Sequence, residues 1–149
     1  METPRHVQGL GSHGIGAITT QLPDVDQAWP GLIQASTILC DGVAASGSEK
    51  DEVFQDVVER AISIFRREES SMDLFQAPRA DVHRQGHLAI LNTIARLRRE
   101  YKEDGGSPEL AQRMRAELLD FLREHHVLLD AMLGRHIRDQ GGKASAFDD

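Results

Sequence analysis

Cysteine is almost absent from this 149-residue chain. The one thiol, Cys40, cannot build a disulfide framework and fits a reducing cytoplasm. Aromatic residues are scarce too, at 5%. A β-sandwich draws on them heavily, so the core here falls to Leu, Ile, Val, Ala and Met, as in a helical bundle. Basic residues are outnumbered 17 to 24, for a formal net charge of −7. That surface repels phosphate and argues against nucleic acid as a partner. No apolar run approaches the roughly 18 residues that span a bilayer, so no membrane is expected. Residues 1–16 hold no apolar stretch behind a basic flank and do not read as a secretory leader. Also missing are a Gly-rich phosphate loop, a nucleophile elbow, a Cys–His pair and any Glu-x-x-His. The last absence disfavours a ferritin-like oxidase, and the set together predicts no enzyme.

What is present makes one globular domain. Residues 1–22 read as an irregular arm punctuated by Gly9, Gly11, Gly14 and Gly16. His6 and His13 lie in it and read as solvated. Four amphipathic segments follow. The first runs from about Asp26 to Ala45, ahead of Gly47, and Pro30 is expected to distort its opening turn beside Trp29. The second starts at a Ser48–Asp51 box and carries Phe54, Val57, Val58, Ala61, Ile64 and Phe65 on one face. The third starts at an Asp81 cap, with His83, His87, Ile90 or Leu91, Ile94 and Leu97 inward. A Gly105-Gly106 turn leads to the fourth. That helix opens on Ser107-Pro108-Glu109 in the order cap, proline, acid. Its row is Ala111, Met114, Leu118, Leu122, His125, Leu129, Met132 and His136, and Gly141-Gly142 should end it. The fold class is therefore all-α, an up-down-up-down four-helix bundle over residues 23–140, with a loose tail at 141–149. Val127, Leu128 and Ile137 add an apolar face on the fourth helix suited to a homodimer or a protein partner.

The inner rows carry groups that a bundle interior should exclude. The row of the second helix continues to Glu68 and then Met72. His83 and His87 share a face of the third, one turn apart. His125 falls on the row of the fourth, and Asp130 lies five residues on, about 140° around an α-helix. Buried carboxylates and imidazoles are costly unless they are paired or bind a metal. Two readings stand on the residues alone. They are metal ligands, or they are core groups paired with one another, with His125 inward and His126 at the surface.

The run from Phe65 to Leu97 resembles the hemerythrin family, in its bacterial form. It holds an aromatic, the Glu68-Glu69 pair, Met72, Pro78 six residues later, and His83-x-x-x-His87. Leu22-Pro-Asp-Val-Asp26 is similar to the arm that enters the family's first helix. The resemblance covers residues 20–139. It implies two irons inside the bundle, held by five histidines and two bridging carboxylates, with dioxygen bound at an open position on one iron. Carried over, Glu68 matches a bridging carboxylate, His83 and His87 the third-helix histidines, and His125 with Asp130 the fourth-helix pair. His136 with Asp139 is the competing choice for that pair.

Two of the family's ligands are missing. Trp29 stands where the first helix should offer a histidine, and Ile64 where the second should. Both losses fall on one iron, the one that takes oxygen. The vacated half should fill with apolar contacts. Three outcomes follow. Glu68, His83, His87, His125 and Asp130 hold one ion, iron in preference to zinc or manganese, with binding of dioxygen or another diatomic altered or lost, in an oxygen- or iron-sensing or storage role. Alternatively, the bundle is a metal-free interaction or regulatory module. In the third outcome an ordinary di-iron oxygen carrier survives, with Asp26, Glu59 or Glu69 as the nearest substitute oxygen donors.

Overall fold

The computed structural model describes residues 20–45 and 50–148, with 141–148 as backbone alone. Most of the expected arm, with His6 and His13, lies outside the described residues, as do Gly47 and the Ser48 cap. Among the described residues there are four helices and no strand.

Helix α1 is Pro23–Val43 and begins earlier than the sequence suggests. Pro23 occupies the first turn, where a missing N–H costs nothing. Thr20 folds back on that turn, its N–H and hydroxyl donating to Asp26 Oδ1 at 2.8 and 2.9 Å. The distortion expected at Pro30 is not seen, because the helix continues through it and Trp29 stays helical. A proline inside a helix costs about 3 kcal/mol. The buried stripe of Val25, Trp29, Leu32, Leu39 and Val43 outweighs that, at about 1.5–3 kcal/mol for each large side chain.

Helix α2 is Asp51–Leu74. Its buried face is Phe54, Val57, Ala61, Ile64, Phe65, Glu68 and Met72. The Lys50 carbonyl accepts from the N–H groups of Val53 and Phe54, both at 3.0 Å. Lys50 N–H donates to the Tyr101 hydroxyl at 2.9 Å, which ties the start of α2 to the end of α3.

Helix α3 is Ala80–Asp104, with His83, His87, Ile90, Ile94, Leu97 and Tyr101 buried. Arg79, and not Asp81, occupies the cap position, in the left-handed conformation. The helix ends at Gly105, whose φ of 79° suits glycine. Gly106 is required for a different reason. A Cβ there would lie 2.3 Å from the Ala45 carbonyl oxygen and 2.5 Å from that of Val43. Gly106→Ala must push the end of α1 off this turn, a steric cost of about 1–3 kcal/mol. Thermal unfolding should shift down by several degrees; an unchanged midpoint would mean that the two segments do not touch.

Helix α4 spans residues 108–148 and is not regular. It comprises Pro108–Met114, a π turn Arg115–Leu119, Asp120–His125, a second π turn His126–Asp130, and Ala131–Asp148. Ser107 Oγ caps it by accepting from Leu110 N–H at 3.0 Å. Gly141-Gly142 does not end it, since the helical backbone continues to Asp148. The second π turn adds a residue to one turn and shifts everything after it. The buried row therefore leaves Leu129, Met132 and His136 and continues through Asp130, Leu133 and Ile137. Ile137 is thereby lost from the expected dimer face and packs with Met72 and Leu133. Val127 and Leu128 remain exposed.

The helices pack in a ring, α1 on α2, α2 on α3, α3 on α4, and α4 back on α1. A large apolar cluster built around Leu32, Leu39, Ile94 and Leu118 fills one part of the interior. Met72, Leu133 and Ile137 form a smaller one. Along α2 and α4, the buried polar residues fall between the two. No described helix is long and apolar enough to cross a membrane.

Candidate metal centre

Five buried side chains converge there. Glu68, His83, His87, His125 and Asp130 each offer one ligand atom, and these atoms all lie within 4.8 Å of one another. They come from α2, α3 and α4. His83 and His87 project together because they are one turn apart. Between them, Gly86 leaves room for the third imidazole: a Cβ at this position would stand 3.0 Å from His125 Nδ1.

The π turn accounts for the convergence on α4. On a regular α-helix Asp130 would point about 140° away from His125. Widening the turn reduces that angle to about 50°. Asp130 then faces three imidazoles. Its Oδ1 is 2.8 Å from His83 Nε2 and 3.3 Å from His125 Nε2, and its Oδ2 is 2.7 Å from His126 Nδ1. Glu68 Oε1 lies 2.9 Å from His87 Nε2 and 3.4 Å from His83 Nε2.

These spacings suit one ion. Donors about 2.0–2.2 Å from a shared centre stand roughly 3 Å apart at right angles and a little over 4 Å apart when opposed. Two imidazole nitrogens are also left over, His125 Nε2 at the cluster and His126 Nε2 beside it. His125 Nε2 is buried and has no hydrogen-bond partner, because at 3.3 Å from Asp130 it lacks the alignment of a hydrogen bond. A buried unpaired nitrogen costs about 1–3 kcal/mol, which a metal ion accepting its lone pair would relieve.

Charge follows the same geometry. Burial opposes a charge on His83, but hydrogen bonds to Asp130 and Glu68 outweigh it and raise its pKa to about 9. Burial works against ionised Asp130 as well, yet His125, His126 and His83 around it hold its carboxyl well below the usual range.

The side of the site where the resemblance places the two missing histidines is not purely apolar, contrary to expectation. Ile64 is buried there as expected. Trp29, also fully buried, both fills space and donates, its Nε1–H lying 2.9 Å from Glu68 Oε2. His126 was the histidine expected at the surface. It is instead buried, its ring centroid 4.3 Å from that of the indole. No inner row assigned on a 3.6-residue period could include both His125 and His126.

The other candidates have different roles. Glu69 Oε2 accepts from His87 Nδ1 at 2.7 Å, fixing the ring so that Nε2 faces the cluster. Asp26 holds Thr20. Glu59 is exposed and accepts from Gln55 at 3.1 Å. His136 Nε2 donates to the Phe75 carbonyl at 2.7 Å and Asp139 is exposed, so that pair does not join the cluster. No family model, no curated protein and no solved structure matches this chain.

Proposed function

We propose that the chain is a hemerythrin-like protein that holds one metal ion where the family holds two, iron in preference to zinc or manganese. One observation carries this reading. Five buried donors on α2, α3 and α4 converge on a single point, and α1 contributes an indole there in place of a ligand. Imidazole and carboxylate together suit Fe(II), Zn(II) and Mn(II).

His83, His87 and His125 would hold the ion through Nε2, Glu68 through Oε1 and Asp130 through Oδ1. Such an ion supplies a Lewis-acidic centre, and iron a redox-active one. Glu69 keeps the proton of His87 on Nδ1, away from the cluster. A cavity of about 40 Å³ lies against the His83 ring, lined by Ala77, Pro78, Leu129, Met132 and Leu133 among others. It admits a molecule of the size of water or a diatomic gas. The role that fits is sensing or storage of iron or oxygen, not catalysis.

A metal-free interaction module is the second reading. It is favoured by the closure of His83 on Asp130 at 2.8 Å and of His87 on Glu68 at 2.9 Å without an ion. Metal content decides between them. Protein produced with iron and freshly purified should carry about one ion per chain, by elemental analysis. A chain that retains none, with zinc and manganese also offered, is the interaction module. Two irons with oxo-bridge absorption would restore the ordinary oxygen carrier.

A further inference from the structure

We infer that Trp29 and His126 are positioning residues that hold Glu68 and Asp130 with one oxygen each turned toward a single ion. The inference rests on the metal-binding reading above. A carboxylate has two oxygens, each able to accept more than once, so by itself it can chelate one ion or bridge two. Here the oxygens of each carboxylate are divided. Glu68 Oε1 faces His87 and His83, while Oε2 accepts from Trp29 Nε1–H at 2.9 Å. Asp130 Oδ1 faces His83 and His125, while Oδ2 accepts from His126 Nδ1–H at 2.7 Å.

An indole N–H can only donate, so Trp29 cannot itself ligate. An ionised carboxylate only accepts, so His126 must carry its hydrogen on Nδ1. The two donor rings pack at a tilt, 4.3 Å between centroids, and are buried, so water cannot take over either hydrogen bond. His126 and Asp130, four residues apart on α4, are neighbours on one helix face. A second ion that took the other oxygen of each carboxylate would have to displace both hydrogen bonds. A single ion instead meets two carboxylates already turned to bind through one oxygen.

Co(II) tests this in the full chain, because its visible bands report coordination number. Wild type should bind one Co(II) per chain. Trp29→Phe keeps the ring and loses the N–H; His126→Leu loses the other donor. Each should weaken Co(II) binding about 10–100-fold and alter the visible bands as the freed oxygen swings. His126→Asn returns an N–H near the place of Nδ1–H and should restore most of the affinity. If either substitution at Trp29 or His126 unfolds the metal-free chain, as judged by circular dichroism, the remaining variants decide. One Co(II) in wild type, with the folded variants matching its affinity and bands, overturns the inference and leaves the proposed function standing. Two Co(II) in wild type also overturns it, since Trp29 and His126 would then not be reserving the second oxygen of each carboxylate. No Co(II) in wild type overturns the metal-binding reading and this inference together.

Discussion

Asp130→Ala is expected to abolish metal uptake and to destabilise the protein even when no metal is present. Asp130 is fully buried and faces three imidazoles, His83 at 2.8 Å, His126 at 2.7 Å and His125 at 3.3 Å. His83, with a pKa raised to about 9, carries its proton at neutral pH in the metal-free protein. Removing the carboxylate leaves that charge buried with only Glu68 nearby, at 3.4 Å and 2.9 Å from two rings it must now serve alone. His126 Nδ1–H loses its acceptor as well. Breaking a buried ion pair from one side costs about 3–5 kcal/mol. For a chain of this size the unfolding midpoint should fall by roughly 10 °C or more. Asp130→Asn separates the two effects. It keeps an acceptor and much of the shape, so it should recover part of the stability. It offers no anionic oxygen, so metal content should stay near zero. Calorimetry and elemental analysis of the same samples check both. An Asp130→Ala chain that melts like wild type would mean the imidazoles do not depend on that carboxylate.

The bundle was legible in the sequence because α2 and α3 obey a single period throughout. From Phe54 to Met72 every residue on the inner row is buried except Val58, and Glu68 falls where the row places it. His83 and His87 needed only their spacing. The fourth helix was legible up to its second π turn and not beyond. Leu118, Leu122 and His125 are buried as the row requires. One residue added to the turn at His126–Asp130 then moves the row from Leu129, Met132 and His136 to Asp130, Leu133 and Ile137. A π turn has no sequence signature of its own, because its energetic cost is offset by whatever the turn brings together, here Asp130 with His83 and the face of His125. The two prolines of α1 were informative in opposite senses. Pro23 marks the true start, by the rule that favours proline in a first turn. Pro30 was over-read, because packing of the stripe on either side of it outweighs the local preference. Trp29 reads from the sequence only as bulk that fills the interior. That its N–H would serve a carboxylate depends on a long-range approach of α1 to α2, which no local pattern encodes.

Metal should raise the stability of the wild-type chain by an amount that depends on free-ion concentration, and His87→Ala should remove the effect. An ion that binds only the folded state stabilises it by about 2.7 kcal/mol at a hundredfold excess over Kd and about 4.1 kcal/mol at a thousandfold excess. The larger figure moves the midpoint up by roughly 10 °C or more in a domain of this size. The dependence on concentration identifies binding: each further tenfold of free ion should add a similar increment. A tightened but metal-independent core would show no such slope. His87→Ala removes one nitrogen from the five-donor cluster and strands Glu69, which now has no ring to orient. It also opens a cavity beside Phe65, whose ring stacks on His87 with centroids 4.0 Å apart. The variant should therefore start from a lower midpoint without metal. The measurement that matters is the difference made by metal within each protein, because the packing loss cancels in it. Fe(II) under anaerobic conditions, Zn(II) and Mn(II) should each give a slope in wild type, and none should in the variant. Equal slopes in both proteins would place the ion elsewhere, on exposed carboxylates. No slope in either would leave His125 Nε2 buried without a partner and the bundle as a metal-free module.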